Sequence, residues 1–83
     1  MEKILVEIYV PVLNTSYDVF IPQRLPMYEV LELIKKAVFE MSEGRFVSNN
    51  STAICNKSDG TILNINLSVC ELGLKNGSKL MLI

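Results

Sequence analysis

Ser58 to Ile83 reads SDGTILNINLSVCELGLKNGSKLMLI, and this stretch decides the fold because it carries two turns and a last strand. Asp59-Gly60 and Asn76-Gly77 are typical of turns, since glycine adopts backbone conformations that other residues avoid. Between the two turns, Leu67 to Leu72 predicts a brief helical or 3-10 turn. Lys79 to Ile83 then predicts the final strand.

The N-terminal 22 residues predict an antiparallel hairpin. Apolar residues at alternate positions have the period of a strand with one buried face, and a break from Pro11 through Asn14-Thr15-Ser16 predicts the turn. Pro22 ends the second strand because proline has no N–H to donate to a ladder. The inward residues would be Ile4, Val6, Ile8 and Val10 in the first strand and Tyr17, Val19 and Ile21 in the second.

From Pro26 the apolar period lengthens to three or four residues, which predicts an amphipathic helix. Pro26 suits the first turn of that helix, and Gly44 suits its C-terminal stop. Glu32 and Lys36 are four residues apart and predict one ion pair on the outer surface. The predicted apolar stripe is Met27, Val30, Ile34, Val38 and Met41, and the acidic residues expected in solvent are Glu29, Glu32, Glu40 and Glu43.

The remaining segments predict how the strands pair. Thr52 to Asn56 predicts a short strand with Thr61 to Ile65 as a candidate partner, and the face that Ile54 takes stays open. If the last strand lies beside the first and parallel to it, the helical segment becomes the right-handed crossover that such pairs prefer. The helix then covers one face of a four- or five-stranded mixed sheet. We therefore predict a single α+β domain over residues 1–83 with β-grasp architecture.

Charge and residue types argue against several functional classes. A net charge of −1 and dispersed basic residues do not form the basic stripe that nucleic-acid binding needs. Without histidine the chain cannot build a Ser-His or Cys-His site, and it has no glycine-rich phosphate loop between a strand and a helix. We expect no enzymatic activity, no cofactor, no metal and no nucleic-acid partner.

The cysteines and the N-terminus predict a cellular location. Cys55 and Cys70 have no metal or redox spacing, and we expect both to be small buried residues in a reducing compartment. Charged Glu2, Lys3 and Glu7 interrupt the apolar N-terminus, which therefore does not resemble a signal peptide. No apolar run approaches the ~20 residues of a membrane span. These features predict a cytoplasmic protein without direct membrane insertion.

The outward residues of the predicted strands include several large apolar side chains. Contiguous apolar patches on a sheet face mark partner or self-association surfaces, and the sequence offers no second helix to cover this one. The alternative is that these residues make ordinary cross-strand contacts, with the loop at Arg45 to Val47 folding over them. The candidate protein-binding residues are Leu5, Tyr9, Phe20, Met81 and Ile83.

Two stretches carry a family resemblance: CNKSDG at residues 55–60 and LSVCELGLKNGSKLMLI at residues 67–83. Their order of turn, short helix, turn and last strand is similar to ubiquitin, and together they most resemble the YukD (EsaB) family. The resemblance covers essentially the whole chain. Members of that family are small cytosolic ubiquitin-like proteins of Gram-positive bacteria, encoded with the type VII secretion machinery. The resemblance implies a non-catalytic accessory or adaptor protein that contacts membrane-bound secretion components.

A β-grasp carrier or conjugated modifier is the alternative function. Ubiquitin and sulfur carriers act through a flexible tail that ends in Gly-Gly, whereas this sequence ends in the β-branched Ile83, which is predicted to lie in a strand. We therefore expect neither conjugation nor sulfur carriage. A homodimer through the outer sheet face is equally compatible with the sequence.

Overall fold

The computed structural model describes residues 2–83, which form one mixed sheet with a helix on one side. The strand order is β2-β1-β4-β3, in which β1 and β4 are parallel and the other two pairs are antiparallel. This arrangement confirms the α+β β-grasp prediction, with four strands; the candidate fifth strand is reduced to one bridge between Cys55 and Ile62. The elements are β1 (Lys3–Val10), a 3-10 turn (Pro11–Leu13), β2 (Thr15–Pro22), α1 (Met27–Met41), β3 (Ile54–Asn56) and β4 (Lys79–Leu82).

The hairpin of β1 and β2 is paired along the whole length of both strands. Its turn is tighter than predicted, because the 3-10 turn and Asn14, which has a φ of 49°, complete the reversal before Thr15. Asparagine tolerates this left-handed conformation better than most residues. Pro22 remains in β2, opposite Lys3, because an edge strand needs ladder hydrogen bonds on one side only.

The core lies between α1 and the inner face of the sheet. Ile54 is fully buried opposite Leu82 and belongs to the same core cluster as the helix residues, so it faces α1. The predicted inward residues of β1 are all buried, as are Val19 and Ile21, whereas Tyr17 is half-buried at the core boundary. Burial of such side chains is the main stabilising term of a domain this small.

Helix α1 packs on the sheet through Met27, Val30, Leu31, Ile34 and Val38. The predicted burial of Met41 is wrong, because this last helical residue is 49% exposed. Phe46, 7% exposed, returns from the following loop and completes the core there.

The first N–H groups of α1 are satisfied by a distant part of the chain. Helix N-termini leave such donors without intrahelical partners, and Pro26 at the cap position provides no side-chain acceptor. The Met27 N–H donates to the Leu67 carbonyl at 2.8 Å, and the Tyr28 N–H donates to the Ile65 carbonyl at 2.9 Å. The segment after β3 therefore fixes where α1 begins.

The C-terminal end of α1 follows the prediction in part. Gly44 has a φ of 80° and donates its N–H to the Phe39 carbonyl at 2.8 Å, which confirms it as part of the helix stop. The ion pair of Glu32 is formed with Lys35 at 2.9 Å, so the predicted pairing with Lys36 is wrong. Residues three and four apart are both neighbours on a helix, and the sequence alone does not choose between them.

The segment predicted as a brief helical or 3-10 turn, Leu67 to Leu72, forms hydrogen-bonded turns, in which the Leu72 N–H donates to the Ser68 carbonyl at 3.0 Å. The Ser68 N–H donates to Glu71 Oε1 at 2.9 Å, and the Glu71 N–H donates to Ser68 Oγ at 3.1 Å. This is the reciprocal pattern of a helix capping box, but only one turn follows before Gly73 reverses the chain with a φ of 75°. The hydrogen bonds from the Ser68 N–H and hydroxyl hold the pKa of the Glu71 carboxyl below its usual value.

Candidate protein-binding face

The outer face is the side of the sheet opposite α1. Its strand residues follow from the alternation of buried and exposed positions, since neighbouring side chains on a strand point to opposite faces. It is formed by Lys3, Leu5, Glu7 and Tyr9 of β1, Ser16, Asp18, Phe20 and Pro22 of β2, Lys79 and Met81 of β4, and Cys55 of β3, which is opposite Met81.

Four of the five predicted binding residues belong to this face, and Ile83 follows β4 on the same alternation. Phe20 is 65% exposed and Ile83 is 53% exposed, whereas Leu5, Tyr9 and Met81 are half-buried. The outward orientation that was predicted from alternation is thus correct.

The strand register divides the outer face into four rows, of which Lys3 and Pro22 form the first. Leu5 and Phe20 form an apolar row. Glu7, Asp18 and Lys79 form a charged row beside it. Tyr9, Ser16, Met81 and Cys55 form the next row.

The charged row corrects the prediction of one contiguous apolar patch. Leu5 and Phe20 lie on one side of it, and Tyr9 and Met81 lie on the other. The prediction failed because it considered each strand alone, whereas the register between strands decides which side chains are neighbours.

Lys57 adds a cation to the outer face from beyond the end of β3. Its Nζ lies 3.7 Å from Glu7 Oε2 and 4.7 Å from the centroid of the Tyr9 ring. The Tyr9 hydroxyl in turn donates to Asn14 Oδ1 at 3.0 Å. These contacts hold Tyr9 in place and partly neutralise Glu7.

Two charges of the row remain without such a partner. Within residues 2–83, no oppositely charged side chain lies within 4 Å of Asp18 or of Lys79, and both residues are exposed. Asp18 is directly opposite Glu7, a like charge, which is an unfavourable neighbour in an antiparallel pair. Asp18 on β2 and Lys79 on β4 are thus charges of the outer face without an ion-pair partner, and Lys3 at the start of β1 is a further exposed cation there.

The loop after α1 does not cover the outer face. Phe46 belongs to the core cluster on the other side of the sheet, and Val47 is 73% exposed. The alternative in which residues 45–47 fold over Leu5 and Tyr9 is therefore wrong.

The seam between β1 and the turn before β4 is held by the predicted Asn76-Gly77 turn. Asn76 Oδ1 accepts the Leu5 N–H at 2.8 Å, and the Gly77 N–H donates to the Leu5 carbonyl at 2.8 Å. Gly77 has a φ of 88°, and a Cβ placed there would meet no atom within 4 Å. Gly77 therefore leaves open space at the end of the sheet, in line with Leu5.

The two cysteines have different environments. Cys55 is fully buried, and burial raises the pKa of its thiol, so the thiol stays protonated and poorly reactive. Cys70 is exposed in the turn segment, which corrects the expectation that both are buried. Both thiols are free.

A groove of about 290 Å³ between α1 and the following loop is lined by Glu32, Lys35, Lys36, Phe39, Val47 and Ser48. Across residues 2–83, no three His, Cys, Asp or Glu side chains come close enough to hold a metal ion. The predicted solvent carboxylates of α1 and its end are all exposed. None of the helices in this part of the chain is long and apolar enough to cross a bilayer.

Solved structures with the same fold include domains from secretion proteins. The ubiquitin-like domain of the Mycobacterium tuberculosis type VII secretion system protein EccD1 matches 100% of this chain and 99% of its own, with a TM-score of 0.79 and 21% identity. A chain in the structure of protomer 1 of the ESX-3 core complex matches 99% of this chain but 16% of its own, with a TM-score of 0.74 and 15% identity.

A structure from another functional class is similar to a comparable degree. A chain of the toluene 4 monooxygenase HD complex matches 98% of this chain and 96% of its own, with a TM-score of 0.77 and 12% identity. No family model and no curated protein matches the sequence. At these identities the likeness concerns architecture, since one fold serves many functions. The chain has the ubiquitin-like β-grasp fold.

Proposed function

We propose that this chain is a non-catalytic adaptor of a Gram-positive type VII secretion system, similar to the YukD (EsaB) proteins. It acts in the cytoplasm and binds membrane-bound secretion components through its outer face. The observation that carries the proposal is the outer face of a ubiquitin-like sheet, on which Phe20 is 65% exposed beside the half-buried Leu5. The likeness to the EccD1 domain and to a chain of the ESX-3 core complex supports the choice of machinery.

The chemistry of the outer face defines what a partner must provide. An apolar side chain of the partner covers Phe20 and Leu5, since burying aromatic surface is the main source of interface energy. Charged groups of the partner meet Asp18 and Lys79, neither of which forms an ion pair within 4 Å among residues 2–83. Such contacts select the partner and orient it more than they add affinity.

Affinity capture with a matched pair of variants tests this proposal. Tagged wild-type protein is purified from detergent-solubilised membranes of the native bacterium, and type VII core components are quantified by mass spectrometry. Phe20→Asp places a charge in the proposed interface and reduces their recovery by about tenfold or more. Val47→Asp introduces the same charge at a residue of similar exposure away from the sheet, and recovery stays at the wild-type level.

Equal recovery with Phe20→Asp and wild type would reject the outer face as the docking surface. Recovery of proteins unrelated to secretion, with no core component, would reject the secretion assignment while leaving the fold intact.

A further inference from the structure

We propose that the outer face binds the outer face of a second copy of this chain, around a two-fold axis that runs along β1. The proposal concerns the face assigned to partner docking, but it stands without the secretion assignment. Its basis is that this rotation brings Asp18 to Lys79 and Phe20 to the open space at Gly77.

The charges on either side of β1 are opposite in sign. Asp18 on β2 and Lys79 on β4 flank Glu7 of β1 on opposite sides. A two-fold axis along β1 exchanges the two sides, so that Asp18 meets Lys79 of the second copy and Lys79 meets its Asp18. An interface around a two-fold axis repeats each contact in this way. Asp18 and Lys79 thereby each gain an oppositely charged partner.

A rotation about an axis across the strands, at the level of the charged row, gives the opposite result. It would place Asp18 on Asp18 and Lys79 on Lys79, and like charges in contact are strongly unfavourable in an interface. The charges therefore select the axis that is parallel to the strands. The two Glu7 carboxylates come close to that axis, where each already has Lys57 at 3.7 Å. The two Lys3 side chains also come near the axis, at the end of the face, where a long exposed lysine keeps its charge in water.

The shape of the outer face also fits this rotation, because an exposed ring meets open space. Lys79 lies level with Glu7 in the parallel pair, so Gly77, two residues earlier, lies level with Leu5. The axis along β1 brings Phe20, the most exposed side chain of its row, over Gly77 of the second copy. An aromatic ring then meets a residue without a side chain, at a position with open space above it. Leu5 and Tyr9 each face their own counterparts across the axis.

The size of the face predicts a weak dimer. Three strands overlap, and with strands about 4.8 Å apart and about 3.3 Å per residue the contact spans roughly 10 to 15 Å in each direction. This is below the ~800 Å² per partner of a standard stable interface. We expect a dissociation constant in the range of roughly 0.1 to 1 mM, which concentrated samples resolve.

Sedimentation equilibrium with two single variants and their mixture tests the proposal. Asp18→Lys and Lys79→Glu each place two like-charge pairs in the dimer and weaken self-association by about tenfold or more. In a 1:1 mixture the two variants form a heterodimer with two opposite-charge pairs, so association returns. Lys36→Glu, a charge reversal on α1 on the other side of the sheet, leaves association unchanged.

If association returns when the two variants are mixed, the effect cannot come from a change in the fold of either variant. Each variant keeps its own altered residue in the mixture, so any effect on its own fold would persist. Asp18→Lys also replaces a like charge opposite Glu7 and therefore does not destabilise the monomer. Circular dichroism of each variant verifies the fold.

Three results would overturn the inference: a wild type that stays monomeric up to about 1 mM, single variants that associate like wild type, or a mixture that does not recover. These measurements use the purified protein alone. If sedimentation shows no dimer, the capture experiment with Phe20→Asp still tests partner binding. If capture recovers no secretion component, sedimentation still tests the dimer.

Discussion

Phe20 and Ile21 are consecutive residues of β2 with opposite environments, because strand alternation places one on each face. Phe20 is 65% exposed and Ile21 is fully buried against the helix side. We expect Phe20→Asp to change the free energy of unfolding by less than about 1 kcal/mol, as is usual for exposed positions. Ile21→Ala removes buried methyl groups and costs about 2 to 5 kcal/mol. Urea denaturation of both variants measures the difference.

A large loss of stability in Phe20→Asp would show that Phe20 is part of the packed structure. The loss of partner binding in that variant would then reflect unfolding and could not be assigned to the interface. The comparison with Ile21→Ala sets the scale, since both changes lie in the same strand.

Helix α1 shows which structural features the apolar period of the sequence predicts and which it does not. Alternation and the helical period correctly identified β1, β2, α1 and most of the core, because these patterns record which side of an element is buried. The parallel pairing of β1 with β4 was also predictable, since it makes a right-handed crossover of the helical segment. The predicted burial of Met41 was wrong because a loop residue, Phe46, fills the core at the end of α1.

The outer face was predictable in orientation but not in arrangement. Alternation identified Leu5, Tyr9, Phe20 and Met81 as outward, whereas the charged row between them depends on the register across β2, β1 and β4. The role of Lys57 could not be predicted, because its side chain reaches Glu7 and Tyr9 from beyond the end of another strand. Long-range register and side-chain reach are tertiary properties that no local period encodes.

Ile34 and Leu33 give a matched test of the helix orientation. Ile34 is fully buried in the centre of α1, and its neighbour Leu33 is 47% exposed. We expect Ile34→Ala to lower the free energy of unfolding by about 2 to 4 kcal/mol through lost burial and the remaining cavity. Leu33→Ala changes it by less than about 1 kcal/mol. Equal melting temperatures for Ile34→Ala and wild type would contradict the packing of α1.

The reciprocal hydrogen bonds of Ser68 and Glu71 make the turn segment sensitive to acid. The pKa of Glu71 is lower in the folded chain than in the unfolded chain, so its carboxylate stabilises the fold above the usual carboxyl pKa of about 4. That contribution is lost as the pH falls through the lower, folded value. The pKa of the Asp59 carboxyl is shifted in the same direction, because the N–H of Thr61 and, second, the Thr61 hydroxyl lower it.

We expect wild type to lose more stability than Glu71→Gln when the pH is lowered from 6 to about 3. Glutamine keeps a carbonyl oxygen as acceptor for the Ser68 N–H but has no charge to titrate. Urea midpoints of both proteins across that range measure the effect, and Asp59 contributes equally to both. Parallel pH profiles would show that Glu71 has the same pKa in the folded and unfolded chains.

At the scale of the whole molecule, segments distant in sequence depend on one another. The first donors of α1 bind carbonyls of residues 65 and 67, and Asn76 and Gly77 bind the backbone of Leu5 in β1. The central strand β1 is thus completed by the last third of the chain, which also fixes the start of the helix. We therefore expect a single cooperative unit rather than a stable hairpin with loosely attached remainder.

Amide hydrogen exchange tests that cooperativity at the start of α1. N-terminal helix amides usually exchange quickly because they lack intrahelical partners. Here we expect the Met27 and Tyr28 amides to exchange with a free energy close to that of global unfolding, since the carbonyls of Leu67 and Ile65 hold them. Asn66, whose N–H binds the exposed side chain of Asn64, provides a fast control in the same segment. If Met27 and Tyr28 exchanged as fast as Asn66, the turn segment would open independently and α1 would not depend on it for its first turn.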